Sequence, residues 1–352
     1  HPMFLTAFLG LILSAAPVQD GARVQVHIDT EEPEAVLNIV GKQEAGGTAN
    51  DEDWQRLFTS EGYQRLQKRE AAMKHPFSDD DFRKFVLSGD LQARAEKLRE
   101  TLDSWKDLDV SHPAALALAY LPETASIHAT IYPSIKPQTN SFVFEIDSDP
   151  AIFIYLNPEM SREEFENTLA HEFHHIGFGT ACPPADIKAD TAKQPGSVQT
   201  VRKWAGAFGE GFAVLAASGS PENHPMAAYS QEQHEKWDLD SGRFYQNRIE
   251  LDDFFMKILK GELSGDKADA QAMNYFGARG PWYTVGYRMG TMIENAFGRQ
   301  RLINSACDGS FFAAYNEATT SQTRGAPHPA GKSTWSPEII KAMSVALPEN
   351  QQ

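Results

Sequence analysis

Cysteine is nearly missing from this chain of 352 residues, which holds only Cys182 and Cys307. Two thiols cannot build a tetrahedral thiolate site alone, so zinc ribbons and similar cysteine-rich modules are excluded. An oxidising compartment would allow a disulfide between them, and a pair of buried free thiols fits the sequence equally well. Positive charge is also scarce. Lys and Arg number 32 against 48 Asp and Glu, a formal net charge of −16. Such a balance argues against nucleic acid or an anionic membrane surface as a partner. Internal repeats are lacking, which excludes solenoids and propellers.

Long hydrophobic runs are absent too, with one exception. Met3 to Ala16 is uncharged and apolar and ends in Ser14-Ala15-Ala16. It falls short of the roughly 20 residues that span a bilayer but suits the apolar core of a secretory signal peptide. Residues 1–19 therefore read as a leader, although no Lys or Arg precedes Arg23 and Pro17 follows the small residues. A buried N-terminal helix is the alternative. The leader reading implies a bacterial periplasmic or secreted protein with no membrane span after its removal.

Among what is present, His171-Glu172-Phe173-His174-His175 carries the most chemistry. On a helix, positions i and i+4 share a face, so His171 and His175 can both turn a ring nitrogen to one ion. Glu172 then sits beside the open coordination position, where a carboxylate can take a proton from water acidified by zinc. His174 points away from His175 and reads as a supporting or exposed residue. The surroundings agree. Asn140–Ile146 alternates and Ala151–Leu156 is continuously apolar, so both read as strands. Ser161 with Glu164 forms a capping-box pattern that starts a helix near Arg162. Phe165, Leu169 and Phe173 give that helix its apolar stripe, and Gly177 suggests its end.

A catalytic zinc takes three protein ligands and keeps one position open. The third is expected from Trp204–Ala217, an apolar, small-residue helix with one acid, Glu210, in its middle. A lone carboxylate there is costly to bury without a cationic partner. The 34 residues from 176 to 209 that separate it from His175 are rich in Pro, Gly and polar residues and read as a loop. Glu210-Gly211-Phe212-Ala213 resembles the third-ligand stretch of aminopeptidase-N-like gluzincins, although the interval there is shorter. HEFHHIG, EGFA and Gly280–Gly290 together resemble an uncharacterised bacterial family described as zinc-dependent peptidases, over most of the chain beyond the leader. The resemblance implies one Zn2+ ion held by His171, His175 and Glu210, a peptide or protein substrate, and a tyrosine that stabilises the oxyanion. Tyr287 is the first candidate for that donor and Tyr283 the second. They lie at i and i+4 on a helix opened by Pro281, while Gly286 and Gly290 on the next face permit a close helix contact.

Other residues carry weaker signals. Arg288 is a candidate for a substrate carboxylate. His224 and His234 are candidate donors that more often are surface histidines. Glu145 and Asp147 could meet a substrate amine, though the outward side of an edge strand suits them better. Gly290–Asn295 matches an exopeptidase motif only faintly. The expected fold is α+β and mainly helical: a helical region at 20–125, with helices from Asp51 onward, packed on a zincin-like catalytic part at 126–352. Strands are expected only near 126–156, before the motif helix, and Ala318–Ser336 reads as a surface loop. Two other functions suit the same residues: a binding protein on a gluzincin scaffold, and a zinc hydrolase of a non-peptide amide.

Overall fold

The computed structural model describes residues 23–277, 279–322 and 333–345. The leader stretch, residues 1–19, lies outside them. The described chain is mainly helical with one four-stranded sheet, an α+β architecture.

The strands are β1 (Val24–Ile28), β2 (Ile127–Ser134), β3 (Phe142–Phe144) and β4 (Ala151–Tyr155). Their order is β1-β2-β4-β3. The first three run parallel, with Val24 opposite Ile127 and Ile131 opposite Ile152. β3 lies antiparallel on the edge, Val143 opposite Ile152. β4 is almost wholly buried, as a continuous apolar run between two covered faces should be.

Strand β1 corrects the expectation that strands occur only near 126–156. Its Val-x-Val-x-Ile alternation was a legible half-buried strand. Likewise the helical region begins at Glu31–Glu44, ahead of Asp51. The β3 run is shorter than the alternating segment that contains it, because Glu145 takes a φ of 56° and turns the chain.

Among the described residues two large hydrophobic cores lie side by side, with a small third cluster at Val214, Met226 and Trp237. One joins the N-terminal helices, the sheet and the apolar stripe of the motif helix (Arg162–Ala181), including Phe165, Leu169, Phe173 and Ile176. Trp105 stacks on Phe165 in this core, ring centres 4.2 Å apart. The other core gathers later helices around Phe208, Phe255, Trp282 and Trp335. The motif helix faces the first core with one side, and its other side meets the acid helix (Gly209–Ser218). His171, His175 and Glu210 therefore stand at the seam between the cores.

Three element boundaries differ from the sequence reading. The motif helix runs on to Ala181 instead of ending at Gly177. Gly177 serves packing: a Cβ there would come within 2.4 Å of Leu121 Cδ1. The interval before Glu210 is not an open loop but holds helices Ala185–Lys193 and Gly196–Ala205. Pro184 and Pro195 immediately precede them, so the prolines start helices there instead of marking coil. Finally, the expected loop at Ala318–Ser336 begins inside helix Phe311–Gln322, and Trp335 is buried. Cys182, just past the motif helix, forms a disulfide with Cys307 on helix Arg299–Asp308. Of the two states open to the thiols, the bonded one is found.

Candidate metal centre

The motif helix opens as its sequence dictates, with Ser161 Oγ accepting from the Glu164 backbone N–H at 3.1 Å. Two turns further on, His171 and His175 project from the face opposite Phe173. The acid helix crosses that face. Asn167 fixes the crossing by donating its amide to the carbonyl of Ala217 at 3.2 Å, and its side-chain oxygen accepts from Tyr229 at 3.0 Å. Sequence reasoning missed Asn167, yet it sits four residues before His171 on the same helical face, a spacing that could have revealed it.

Glu210 enters from the first turn of the acid helix. Its Oε2 lies 3.1 Å from His171 Nε2 and 3.3 Å from His175 Nε2, and the two ring nitrogens are 3.0 Å apart. Among the described residues this is the one His/Cys/Asp/Glu group compact enough to hold an ion. Ligand atoms on a tetrahedral zinc, with bonds of about 2.0–2.1 Å, stand roughly 3.3 Å from one another. The triangle has nearly those sides, and two imidazoles with one carboxylate are a donor set that suits zinc. The residues fit the metal.

The electrostatics are those of converging ligands. Burial pushes the Glu210 carboxyl up, but the two imidazoles more than offset this and hold it far below the ordinary range. Burial pulls His175 down, while the Glu210 carboxylate draws it up to about 8. Glu172, next along the helix, adds its negative charge to both His175 and Tyr283. His174 lies on the other side of the helix, 1% exposed, with Nε2 3.3 Å from the carbonyl of Tyr120. Burial holds it neutral and it packs edge-on against Phe212, so it buttresses the helix crossing.

The tyrosine helix (Pro281–Phe297) packs against the acid helix at very short range. A Cβ on Gly211 would lie 2.1 Å from the Tyr287 backbone nitrogen, and one on Gly286 2.6 Å from the Phe208 carbonyl oxygen. Only glycines permit this approach, and it carries Tyr283 to the group formed by His171, His175 and Glu210. The Tyr283 ring lies nearly parallel to that of His171, centres 6.4 Å apart. Burial first, and then the Glu210 carboxylate, push its hydroxyl pKa up, so the group stays protonated. Tyr287, one turn later, turns elsewhere. Its hydroxyl donates to the carbonyl of Asn223 at 3.4 Å and its ring meets Trp237 edge-on.

The remaining candidates lie apart from this group. His224 and His234 stack on each other at 4.3 Å, with His224 bonded to Asp238. Arg288 is exposed beside Tyr287 in an open cavity of about 560 Å³. Glu145 pairs with Arg65 at 2.8 Å and with Lys68, and Asp147 sits in an exposed turn. Glu294, in the faint exopeptidase-like stretch, accepts from Tyr120 and Arg299. A mainly apolar cavity of about 640 Å³ lies beyond Phe178 and Gly209 and includes none of His171, His175 and Glu210. Arg279, which the sequence reading passed over, holds a φ of 62° and adds its charge to Tyr283 and Glu164. No helix among the described residues is long and apolar enough to cross a membrane.

Neither the curated proteins nor the solved structures contain a significant match to the chain. A family model does match, over residues 54–323, with the description "Putative zinc dependent peptidase (DUF5700)". That span includes the motif helix, Glu210 and the tyrosine helix, and it takes up most of the chain, which therefore belongs to this zinc-dependent peptidase family.

Proposed function

We propose that the protein is a zinc peptidase of the gluzincin type, with one Zn2+ held by His171, His175 and Glu210. The observation that carries this reading is the triangle of Nε2, Nε2 and Oε2 atoms with sides of 3.0–3.3 Å. Zinc bound there supplies Lewis acidity, polarising a carbonyl and making water acidic near neutral pH. Glu172, the neighbour of a ligand on the same helix, takes a proton from the attacking water and returns it to the leaving amine. Tyr283, held protonated beside Glu210, donates its hydroxyl to the oxyanion that develops on the carbonyl. Tyr287 instead braces the wall through Asn223 and Trp237. This reverses the order in which the sequence ranks the two tyrosines. His174 and Asn167 keep the ligand-bearing helices in register.

The disulfide supports an oxidising location, the bacterial periplasm or the outside of the cell. The net charge of −16 suits peptide substrates better than nucleic acid. The test combines metal analysis with a peptide-library digest read by mass spectrometry. Purified protein is expected to hold one zinc per chain and to cleave peptides in a chelator-sensitive way. Glu172→Gln is expected to retain the zinc and lose cleavage. Zinc without peptide cleavage would favour a non-peptide amide as substrate, and a chain that binds no zinc would end the proposal.

A further inference from the structure

The cavity of about 640 Å³ beyond Phe178 and Gly209 takes no part in the metal chemistry. Its size is nevertheless that of a small-molecule site, typically about 300–1,000 Å³. Phe178, Phe208 and Phe212 line it together with Phe311, Phe312 and Met343. Cys307 lines it too, and its disulfide to Cys182 ties the end of the motif helix to helix Arg299–Asp308, so the walls are held without a ligand. Apolar surface left facing water in this way is costly, and a contiguous patch of it marks an interaction site.

Gly206 and Gly209 also line the cavity, with φ of −58° and −53°, helical values that any residue adopts. A Cβ on either would meet nothing within 4 Å, in contrast to Gly211 and Gly286. Neither turn geometry nor helix packing therefore calls for glycine there, and glycine in helical backbone is less stable than alanine. What the two residues do provide is bare backbone and room along one helical face, at i and i+3, with Phe212 at the next such step.

The charged lining is of one sign. Lys188, Arg202 and Lys203 line the cavity and no acid does, in a chain whose acids outnumber its bases 48 to 32. Asp186, Asp190 and Asp308 line a neighbouring opening instead. Arg202 is engaged with Asp190 at 2.8 Å and with the carbonyls of Ala342 and Ser344, and Lys203 with Asp269 at 3.1 Å. Lys188 is exposed, and among the described residues its ammonium group has no ion-pair or hydrogen-bond partner. We propose that the cavity is a binding site for a fatty acid. The acyl chain would lie against the phenylalanines and the bare strip at Gly206 and Gly209, with the carboxylate beside Lys188. A neutral hydrocarbon would leave Lys188 without a role, and an ammonium amphiphile would meet like charge. None of His171, His175 and Glu210 lines the cavity, so this binding stands whether or not the protein cleaves peptides.

Isothermal titration of the full chain with dodecanoate, below its micelle concentration, tests this. Saturable one-to-one binding is expected. It should be at least tenfold tighter than for butanoate, which lacks the long chain, and at least fivefold tighter than for dodecylammonium, which reverses the charge. Lys188→Glu is expected to erase the preference for dodecanoate over dodecylammonium. Gly206→Leu sets a side chain in open space on backbone that leucine adopts, so it should fold as wild type and bind dodecanoate at least tenfold more weakly. No saturable binding by the full chain would overturn the proposal, whether the cavity stays empty or another segment of the protein fills it. Undiminished binding by folded Gly206→Leu would overturn it too, as would equal affinity of the wild type for the two amphiphiles. Should Gly206→Leu not fold, the exposed Lys188 decides, and an unchanged preference in Lys188→Glu would refute the site.

Discussion

At Gly211 a single hydrogen in place of a methyl group decides how closely Glu210 approaches His171 and His175. The Cβ of an alanine there would lie 2.1 Å from Tyr287 N and 2.5 Å from the carbonyl oxygen of Tyr283, so the two helices would have to part. Gly211→Ala is expected to destabilise the protein by about 1–3 kcal/mol, the usual cost of overpacking, and to weaken zinc because Glu210 moves with the helix. Urea denaturation and a competitive zinc titration measure the two effects. Wild-type zinc affinity in the variant would show that the close contact does not position Glu210. A different signature is expected for Tyr283→Phe, which keeps the ring against His171 and removes only the donor. Loss of an oxyanion donor lowers kcat by about 10²–10³. KM should stay near the wild-type value, and a rise in KM with kcat unchanged would reassign Tyr283 to substrate binding. Tyr287→Phe should leave kcat within a few-fold of wild type, since its hydroxyl is engaged with Asn223. Glu210→Gln should lose zinc, as the amide is a weaker ligand, and stoichiometric zinc in that variant would sink the assignment.

At the scale of elements, the start of helix Glu31–Glu44 makes a testable demand on pH. Glu32 is 2% exposed, with Oε2 accepting from the Ile135 backbone at 3.1 Å and Oε1 buried without a partner. Burial raises its pKa from 4.5 to about 8. A carboxyl whose folded pKa is raised contributes its full stability below the unfolded value, where both states are protonated. That contribution declines as pH rises from 4.5 towards 8, because the unfolded chain ionises first. Glu32→Gln is therefore expected to gain stability relative to wild type across this window. Guanidinium melts at pH 5 and pH 8 check it, and a constant difference between the two proteins would refute the buried-acid account. Elements also show how far local pattern reaches. The Ser161 cap, the Phe165–Leu169–Phe173 stripe and the buried β4 run were all legible, because each depends on spacing within one element. The helices at Ala185–Lys193 and Gly196–Ala205 were not. Their prolines and glycine mark helix starts as readily as loops, and what favours the helices is packing of the second against the Trp282 core.

At the scale of the molecule, the disulfide closes a span of 125 residues that contains the acid helix and the tyrosine helix. A crosslink over such a length removes much chain entropy from the unfolded state, typically about 2–4 kcal/mol. Cys307→Ser is expected to lose stability on that order in guanidinium melts, with zinc still bound in the folded protein. Equal stability with and without the bond would show that the cores alone hold the two parts together. The sequence by itself determined the candidate site: His171, Glu172 and His175 are set by helical periodicity, and Glu210 stands out as the one acid in an apolar helix. It also determined the α+β class, since strand and helix periods differ. Only the tertiary structure decided which tyrosine lies beside His171 and Glu210. Tyr283 and Tyr287 share one face of one helix, and the choice rests on where Gly211 and Gly286 let that helix cross its neighbour. It decided too that Cys182 meets Cys307, partners 125 residues apart in the chain and beyond the reach of any local pattern.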